Sequence, residues 1–133
     1  MFVFDVSSFI SYKEYTNFIV TLKSKFDEER NTLFDIYNIT NSAFWDNNVD
    51  KYIEFRDKYR KLRQDIINEI IKKFRKFLPN NCLIYEFGSL TKFTDRIESD
   101  IDLTFCYDEK KSYTFECAEE LIYYSICHVF EHS

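Results

Sequence analysis

This chain of 133 residues contains a single glycine, Gly88, and a single proline, Pro79. Because these two residue types supply most of the backbone conformations of tight turns, their scarcity favours long helices joined by few turns. Apolar residues make up 45% of the chain and aromatic residues 20%, which is enough to build a core. The length leaves room for one domain. The sequence therefore predicts a single compact domain that is rich in helix.

Three stretches repeat apolar residues at every third or fourth position, which is the spacing of an amphipathic helix. The first begins at a predicted Ser11 cap, in a capping box with Glu14, and runs to about residue 39. The second begins near residue 50 and is stopped by Pro79. The third is capped by either Ser112 or Thr114. We expect these three helices to build most of the core.

Two short strands are predicted between the second and third helices. Residues 82–87 form an apolar run that predicts a buried strand, and Gly88-Ser89 follows directly. Residues 101–105 alternate apolar and polar side chains. Since side chains two apart in a strand share a face, Ile101, Leu103 and Phe105 should enter the core. Asp100 and Asp102 should then project together from the opposite face.

The two aspartates suit a divalent cation. Twice the rise of a strand separates them by roughly 7 Å, and carboxylate oxygens are the ligands that Mg²⁺ prefers. The Gly88-Ser89 turn offers backbone N–H groups and a hydroxyl to phosphate oxygens. A carboxylate pair beside a phosphate-binding turn is the equipment of phosphoryl or nucleotidyl transfer.

The strand ending in Phe87-Gly88-Ser89, followed about ten residues later by Ser99-Asp100-Ile101-Asp102-Leu103, resembles the signature of the DNA polymerase β-like nucleotidyltransferase superfamily. The resemblance covers roughly residues 62–130. It implies an α+β fold, in which long helices pack on a small nucleotidyltransferase-type sheet. Residues 1–48 would then be an N-terminal helical segment, and residues 49–133 a partial nucleotidyltransferase core. The spacing fits small bacterial nucleotidyltransferases as well as non-templated terminal transferases and poly(A) polymerases.

The resemblance also implies an activity, the metal-dependent transfer of a nucleoside monophosphate from a nucleoside triphosphate to an acceptor hydroxyl. The acceptor is left open between RNA, protein and a small molecule. Asp100 and Asp102 would be the catalytic, metal-ligating residues for Mg²⁺ or Mn²⁺. The implied nucleotide-binding residues are Gly88, Ser89, Lys92 and Ser99.

The sequence departs from the superfamily pattern at three points. Lys92 stands where the small transferases often keep an arginine, and Phe93 replaces a loop glycine of the terminal transferases. The superfamily takes a third carboxylate from a strand after the last helix, and no residue here matches it. We therefore expect the chain to stop before that strand. It would be the first part of a longer enzyme, a subunit completed by a protein partner, or a catalytically incomplete regulatory or antitoxin-like subunit.

Other titratable groups carry weaker signals. The four cysteines lack Cys-x-x-Cys spacing and are predicted to be buried free thiols: Cys82, Cys106, Cys117 and Cys127. His128 and His132 stand four apart, as in a zinc site or simply at a helix end. No apolar run reaches the roughly 18 residues of a membrane span, and no secretory signal is recognisable. We therefore expect a cytoplasmic protein without membrane contact.

Basic residues are concentrated in the second predicted helix. Residues 51–76 hold ten of the 18 lysines and arginines, although the whole chain carries a net charge of −5. Such a helix could guide a polyanion toward a metal site, or it could simply expose a solvated face opposite its apolar stripe. The sequence leaves both interpretations open.

Overall fold

Three long helices and one small sheet make up the computed structural model, which describes residues 5–37, 49–87 and 102–130. The protein is therefore of the α+β class, as predicted, with helix predominating. The helices are α1 (Tyr12–Ile36), α2 (Val49–Phe74) and α3 (Tyr113–Phe130), and the strands are β1 (Leu83–Phe87) and β2 (Asp102–Cys106). Short 3-10 helices precede α1 at Val6–Ser8 and follow α2 at Arg75–Phe77.

Serine side chains begin two of the helices. The Oγ of Ser11 accepts a hydrogen bond from the backbone N–H of Glu14 at 3.1 Å, which confirms the predicted cap of α1. The Oγ of Ser112 accepts from Phe115 N at 3.2 Å, so Ser112 rather than Thr114 caps α3. The Glu14 carboxylate accepts from Lys73 Nζ at 2.9 Å, a contact that ties α1 to α2.

Replacing Ser11 by alanine is expected to lower the free energy of unfolding by about 1 kcal/mol, because the N–H of Glu14 loses its partner. Urea unfolding monitored by circular dichroism measures this. Ser24→Ala is the matched control, since Ser24 lies exposed within α1 and alanine is the stronger helix former there. Equal stabilities of the two variants would contradict a capping role for Ser11.

The buried face of α2 forms the centre of the core. As the spacing predicts, an apolar stripe runs along one face of α2 from Phe55 to Phe74 and is buried, whereas Phe77 lies beyond the end of α2 and is only half-buried. The helix ends at Phe74, five residues before Pro79. A proline disfavours helical backbone at the residue before it, and Leu78 is accordingly extended, with ψ 156°. The fully buried side chains of this stripe are Phe55, Tyr59, Ile66, Ile67, Ile70 and Phe74.

Aromatic contacts join the three helices. The Phe26 ring of α1 meets Tyr59 of α2 edge-on at 6.2 Å and Phe130 of α3 at 4.7 Å. The core therefore draws on residues from both predicted segments, 1–48 and 49–133. It also holds a polar pair, because the Tyr15 hydroxyl lies 3.2 Å from Ser125 Oγ. Burial raises the pKa of Tyr15 to about 12, so this phenol stays neutral.

The two predicted strands pair, antiparallel, in a two-stranded sheet. Leu103 is buried and Phe105 packs against the core, while Thr104 is exposed, so the predicted alternation of β2 is confirmed for these residues. The prediction of a buried β1 is wrong for one of its faces, since Leu83 is 55% exposed and Tyr85 46%. An apolar run suggests burial on both sides, but helices cover only the face that carries Ile84.

Candidate nucleotide and metal site

The two halves of the sequence motif attach to the same end of the hairpin. Phe87, the last residue of β1, pairs with Asp102, the first residue of β2. In an antiparallel pair the opposed Cα atoms lie about 4.5–5.5 Å apart. Gly88 is bonded to Phe87, and Asp100 precedes Asp102 by two residues. The segment that leaves β1 at Gly88 and the segment that enters β2 at Asp102 therefore adjoin the same end of the sheet.

Most of the predicted site residues lie outside the residues that the structure describes. For Asp102 the described part is its backbone, which belongs to β2. That the two aspartate side chains share one exposed face remains a prediction. The predicted residues outside the described ranges are Gly88, Ser89, Lys92, Ser99 and Asp100, and Ile101 also lies there.

Helix α3 holds β2 next to Asp102. The hydroxyl of Tyr123 donates a hydrogen bond to the carbonyl oxygen of Leu103, the residue that follows Asp102. The Tyr123 ring also meets Phe105 edge-on, with 5.8 Å between ring centroids. One side chain of α3 thus contacts both the backbone and the apolar face of the strand that carries the second aspartate.

The opposite end of the hairpin has its own anchors. Arg75 Nη2 donates to the carbonyl oxygens of Asn80, at 3.2 Å, and of Cys82, just before β1. Asn81 Nδ2 donates to Asp108 Oδ2 at 3.1 Å, which links the chain before β1 to the chain after β2. These bonds fix the entry and exit of the hairpin at the end where Leu83 pairs with Cys106.

A second tyrosine ties this far end to α3. The Tyr107 hydroxyl donates to Glu119 Oε2 at 2.8 Å, and Lys111 Nζ lies 3.0 Å from the same oxygen. Burial, and then the adjacent Glu119 carboxylate, raise the pKa of Tyr107 far above its ordinary value. The phenol is therefore a permanent donor at physiological pH, and this cluster serves as a structural clamp rather than an acid or base.

Sequence reasoning missed both tyrosine anchors. In a chain with 15 phenylalanines and 10 tyrosines, an aromatic residue at helical or strand spacing simply predicts a core position. Only the choice of tyrosine over phenylalanine at Tyr107 and Tyr123 hints that a hydroxyl has a partner. Which partner it has depends on how α3 packs against the sheet, and that is decided by tertiary structure.

Several basic residues of α2 are paired with acidic ones. Ion pairs join Lys73 to Glu14 at 2.9 Å and Lys61 to Asp65 at 3.3 Å. Arg63 is only 5% exposed, with its guanidinium carbon 5.5 Å from the centre of the Phe130 ring.

A surface groove of about 650 Å³ between α1 and α2 is lined by side chains of both charges: Lys25, Lys58, Lys61, Glu28, Glu29 and Asp65. Because both charges line this groove, the arrangement favours a solvated helix face over a surface that guides a polyanion.

The cysteines are free thiols, as predicted, but they are not all buried. Cys82 is buried and Cys117 half-buried, whereas Cys106 and Cys127 are exposed, so the prediction is wrong for these last two. Cys106 lies on the face of the sheet that helices leave uncovered, and Cys127 lies on the outer side of α3.

The structure describes one of the two histidines. The His128 ring meets Tyr124 edge-on at 4.2 Å, and His132 lies outside the described residues. Within residues 5–37, 49–87 and 102–130, no group of three or more His, Cys, Asp or Glu side chains could hold a metal ion.

The fold and the hairpin define the protein at the level of its class, an α+β domain in which helices cover one face of a two-stranded sheet. Comparisons with protein-family models, with curated proteins and with solved structures find no match. In the part of the chain that the structure describes, no helix has the length and apolar character needed to cross a membrane. A functional assignment therefore depends on the residues of this chain and their arrangement.

Proposed function

We propose that this chain is the nucleotide- and metal-binding part of a nucleotidyltransferase, which transfers a nucleoside monophosphate from a nucleoside triphosphate to an acceptor hydroxyl. The observation that carries the proposal is the pairing of Phe87 with Asp102. In the sequence, Gly88 follows Phe87 directly and the Asp100–Asp102 run ends at Asp102, so both segments of the motif adjoin the same end of the sheet. A phosphate-binding turn and a carboxylate pair must be neighbours to act on the same triphosphate.

The residues fit the implied roles. Asp100 and Asp102 supply hard oxygen ligands of the kind that Mg²⁺ and Mn²⁺ prefer. A cation bound there would stabilise charge on the departing pyrophosphate and lower the pKa of the acceptor hydroxyl. Gly88 lets a phosphate come close to the backbone, because it has no side chain to block the approach. Ser89 adds a hydroxyl donor and Lys92 a positive charge near the phosphates.

The reaction requires the acceptor hydroxyl to lose its proton to solvent and its oxygen to bond to the α-phosphorus, while the bond from that phosphorus to the bridging oxygen breaks and pyrophosphate leaves. Two aspartates alone leave most coordination positions of a cation to water and to triphosphate oxygens. Binding of the cation and binding of the nucleotide should therefore strengthen each other, since such coupling is reciprocal.

Calorimetry on the full chain tests this with Mn²⁺ and α,β-methylene nucleoside triphosphates, whose α–β linkage cannot be cleaved. Three titrants are compared: Mn²⁺ alone, the nucleotide analogue with a chelator that removes free metal ions, and the preformed complex of Mn²⁺ and the analogue. We expect the complex to bind more tightly than either component. Asp100→Asn or Asp102→Asn should weaken its binding by about tenfold or more, because each removes a charged ligand.

Asp35→Asn is the matched control, since Asp35 is an exposed aspartate near the end of α1 and its replacement removes the same charge. Binding of Mn²⁺ that ignores both the nucleotide and the Asp100→Asn change would contradict the proposal. If the cleavable triphosphates bind in the same linked way but are not turned over, the chain acts as the catalytically incomplete binding subunit of this type.

A further inference from the structure

A small cavity lies between the first 3-10 helix, α1 and α3, and the described residues that line it belong to these helices or, in the case of Asp5, directly precede them. Its volume is about 300 Å³. That is the lower end of the roughly 300–1,000 Å³ typical of small-molecule sites in proteins. Apolar side chains from two of the helices form part of the lining: Val6, Ile19 and Val20. The size of the cavity suits a small molecule rather than a helix or a folded partner.

Three tyrosines also line the cavity: Tyr12, Tyr15 and Tyr124. The rings of Tyr15, from α1, and Tyr124, from α3, lie 6.1 Å apart between centroids, with 25° between their planes. The Tyr15 hydroxyl lies 3.2 Å from Ser125 Oγ, which holds its ring in place. Tyr12 is 73% exposed and therefore lies on the solvent side. Since the face of an aromatic ring is electronegative, a wall of three tyrosines attracts a cation.

Asp5 adds a negative charge to this lining. Its Oδ1 accepts hydrogen bonds from the hydroxyl of Ser7 at 2.5 Å and from the backbone N–H of Ser7 at 3.0 Å. These bonds hold the pKa of Asp5 below its ordinary value, so the carboxylate is ionised at neutral pH. Among the described residues that line the cavity there is no lysine or arginine that would offset this charge. The lining therefore favours a positively charged ligand and repels an anion.

We propose that this cavity binds a small molecule that carries a quaternary ammonium group, of which choline is the simplest probe. Such a group has no N–H to donate, so it gains more from aromatic rings and one carboxylate than from hydrogen-bond acceptors. A hard metal ion would instead require several oxygen ligands. The site lies apart from the hairpin, and its ligand is therefore independent of the proposed nucleotidyl transfer.

The experiment titrates the full chain with choline and follows the amide resonances by NMR, which also locates the ligand. Because His128 lines the cavity, the titration is run at pH 8, above the range in which histidines usually become charged. The comparison ligand is 3,3-dimethylbutan-1-ol, which has the shape of choline but carries no charge. We expect choline to bind at least about tenfold more tightly and to shift resonances in residues 5–20 and 124–128.

Two variants test the charge and the aromatic wall separately. Asp5→Asn and Tyr12→Leu should each weaken choline binding by about threefold. Asp35→Asn and Tyr113→Leu are the matched controls and should leave binding unchanged. Asp35 is an exposed aspartate of α1, and Tyr113 is an 81% exposed tyrosine at the end of α3 away from Tyr124.

Three results would overturn the proposal. The first is an absence of choline binding at about 10 mM. The second is equal binding of choline and its uncharged analogue, which would leave the cavity merely apolar. The third is equal binding by the two variants and their controls, which would place the ligand elsewhere. A trimethyllysine peptide that binds more tightly than choline would overturn the assignment of a small molecule, because the ammonium group would then belong to another protein.

Discussion

Replacing Phe74 by alanine is expected to lower the free energy of unfolding by about 3–5 kcal/mol. Phe74 is fully buried at the end of α2. Its ring meets Phe18 edge-on at 5.6 Å and lies 6.3 Å from the ring of Tyr15, both on α1. Alanine removes these contacts and leaves a cavity that the surrounding helices can fill only in part. The loss is a large share of the roughly 5–15 kcal/mol that stabilise a typical domain.

Urea unfolding, followed by circular dichroism, measures this loss. Tyr12→Ala is the control, because it also removes an aromatic side chain, but one that is 73% exposed at the start of α1. Its cost should stay within about 0.5 kcal/mol, as for most surface changes. If both variants unfold at the same urea concentration, Phe74 does not pack between the helices as the structure describes.

The helices could be predicted from sequence because each has a strong periodic signal. The stripe from Phe55 to Phe74 repeats over more than five turns, and only a helix can bury such a pattern on one side. The Ser11 cap was also predictable, since a serine three residues before a glutamate is a local signal. Local chemistry and periodicity thus determine where α1 and α2 form.

What sequence could not show depends on which faces meet. The apolar residues of β1 predict burial on both sides, yet Leu83 and Tyr85 are exposed because the helices cover one side. The buried hydroxyl of Ser125 donates a hydrogen bond to Leu121 O at 2.7 Å. It also lies 3.2 Å from the hydroxyl of Tyr15, which belongs to another helix. A partner 110 residues away has no local signature in the chain.

For the candidate site, too, some features could be predicted from sequence and others could not. The two strands were predicted from their patterns and both form, whereas the antiparallel register that brings Phe87 opposite Asp102 was not predicted. The contribution of Tyr123 was not predictable, because it depends on the distance between α3 and β2. The roles of Asp100 and Asp102 remain predictions that the binding experiments test.

The alternation of β2 supports the whole interpretation of the motif, and one pair of variants tests it. Leu103→Asp is expected to cost about 3 kcal/mol or more at neutral pH, because Leu103 is 6% exposed and the new carboxylate would be buried. Thr104→Asp, one residue away on the exposed face, should cost less than about 0.5 kcal/mol.

The pH dependence separates a buried charge from a simple loss of packing. Burial raises the pKa of an aspartate above its unfolded value of about 3.9, so the folded Leu103→Asp protein binds the proton more strongly than the unfolded chain. Its stability deficit should therefore shrink as the pH falls from 7 toward 4, while Thr104→Asp shows no such recovery. Equal costs for the two variants would mean that β2 does not alternate between core and solvent. The expectation that Asp100 and Asp102 share the face opposite Leu103 would then lose its basis.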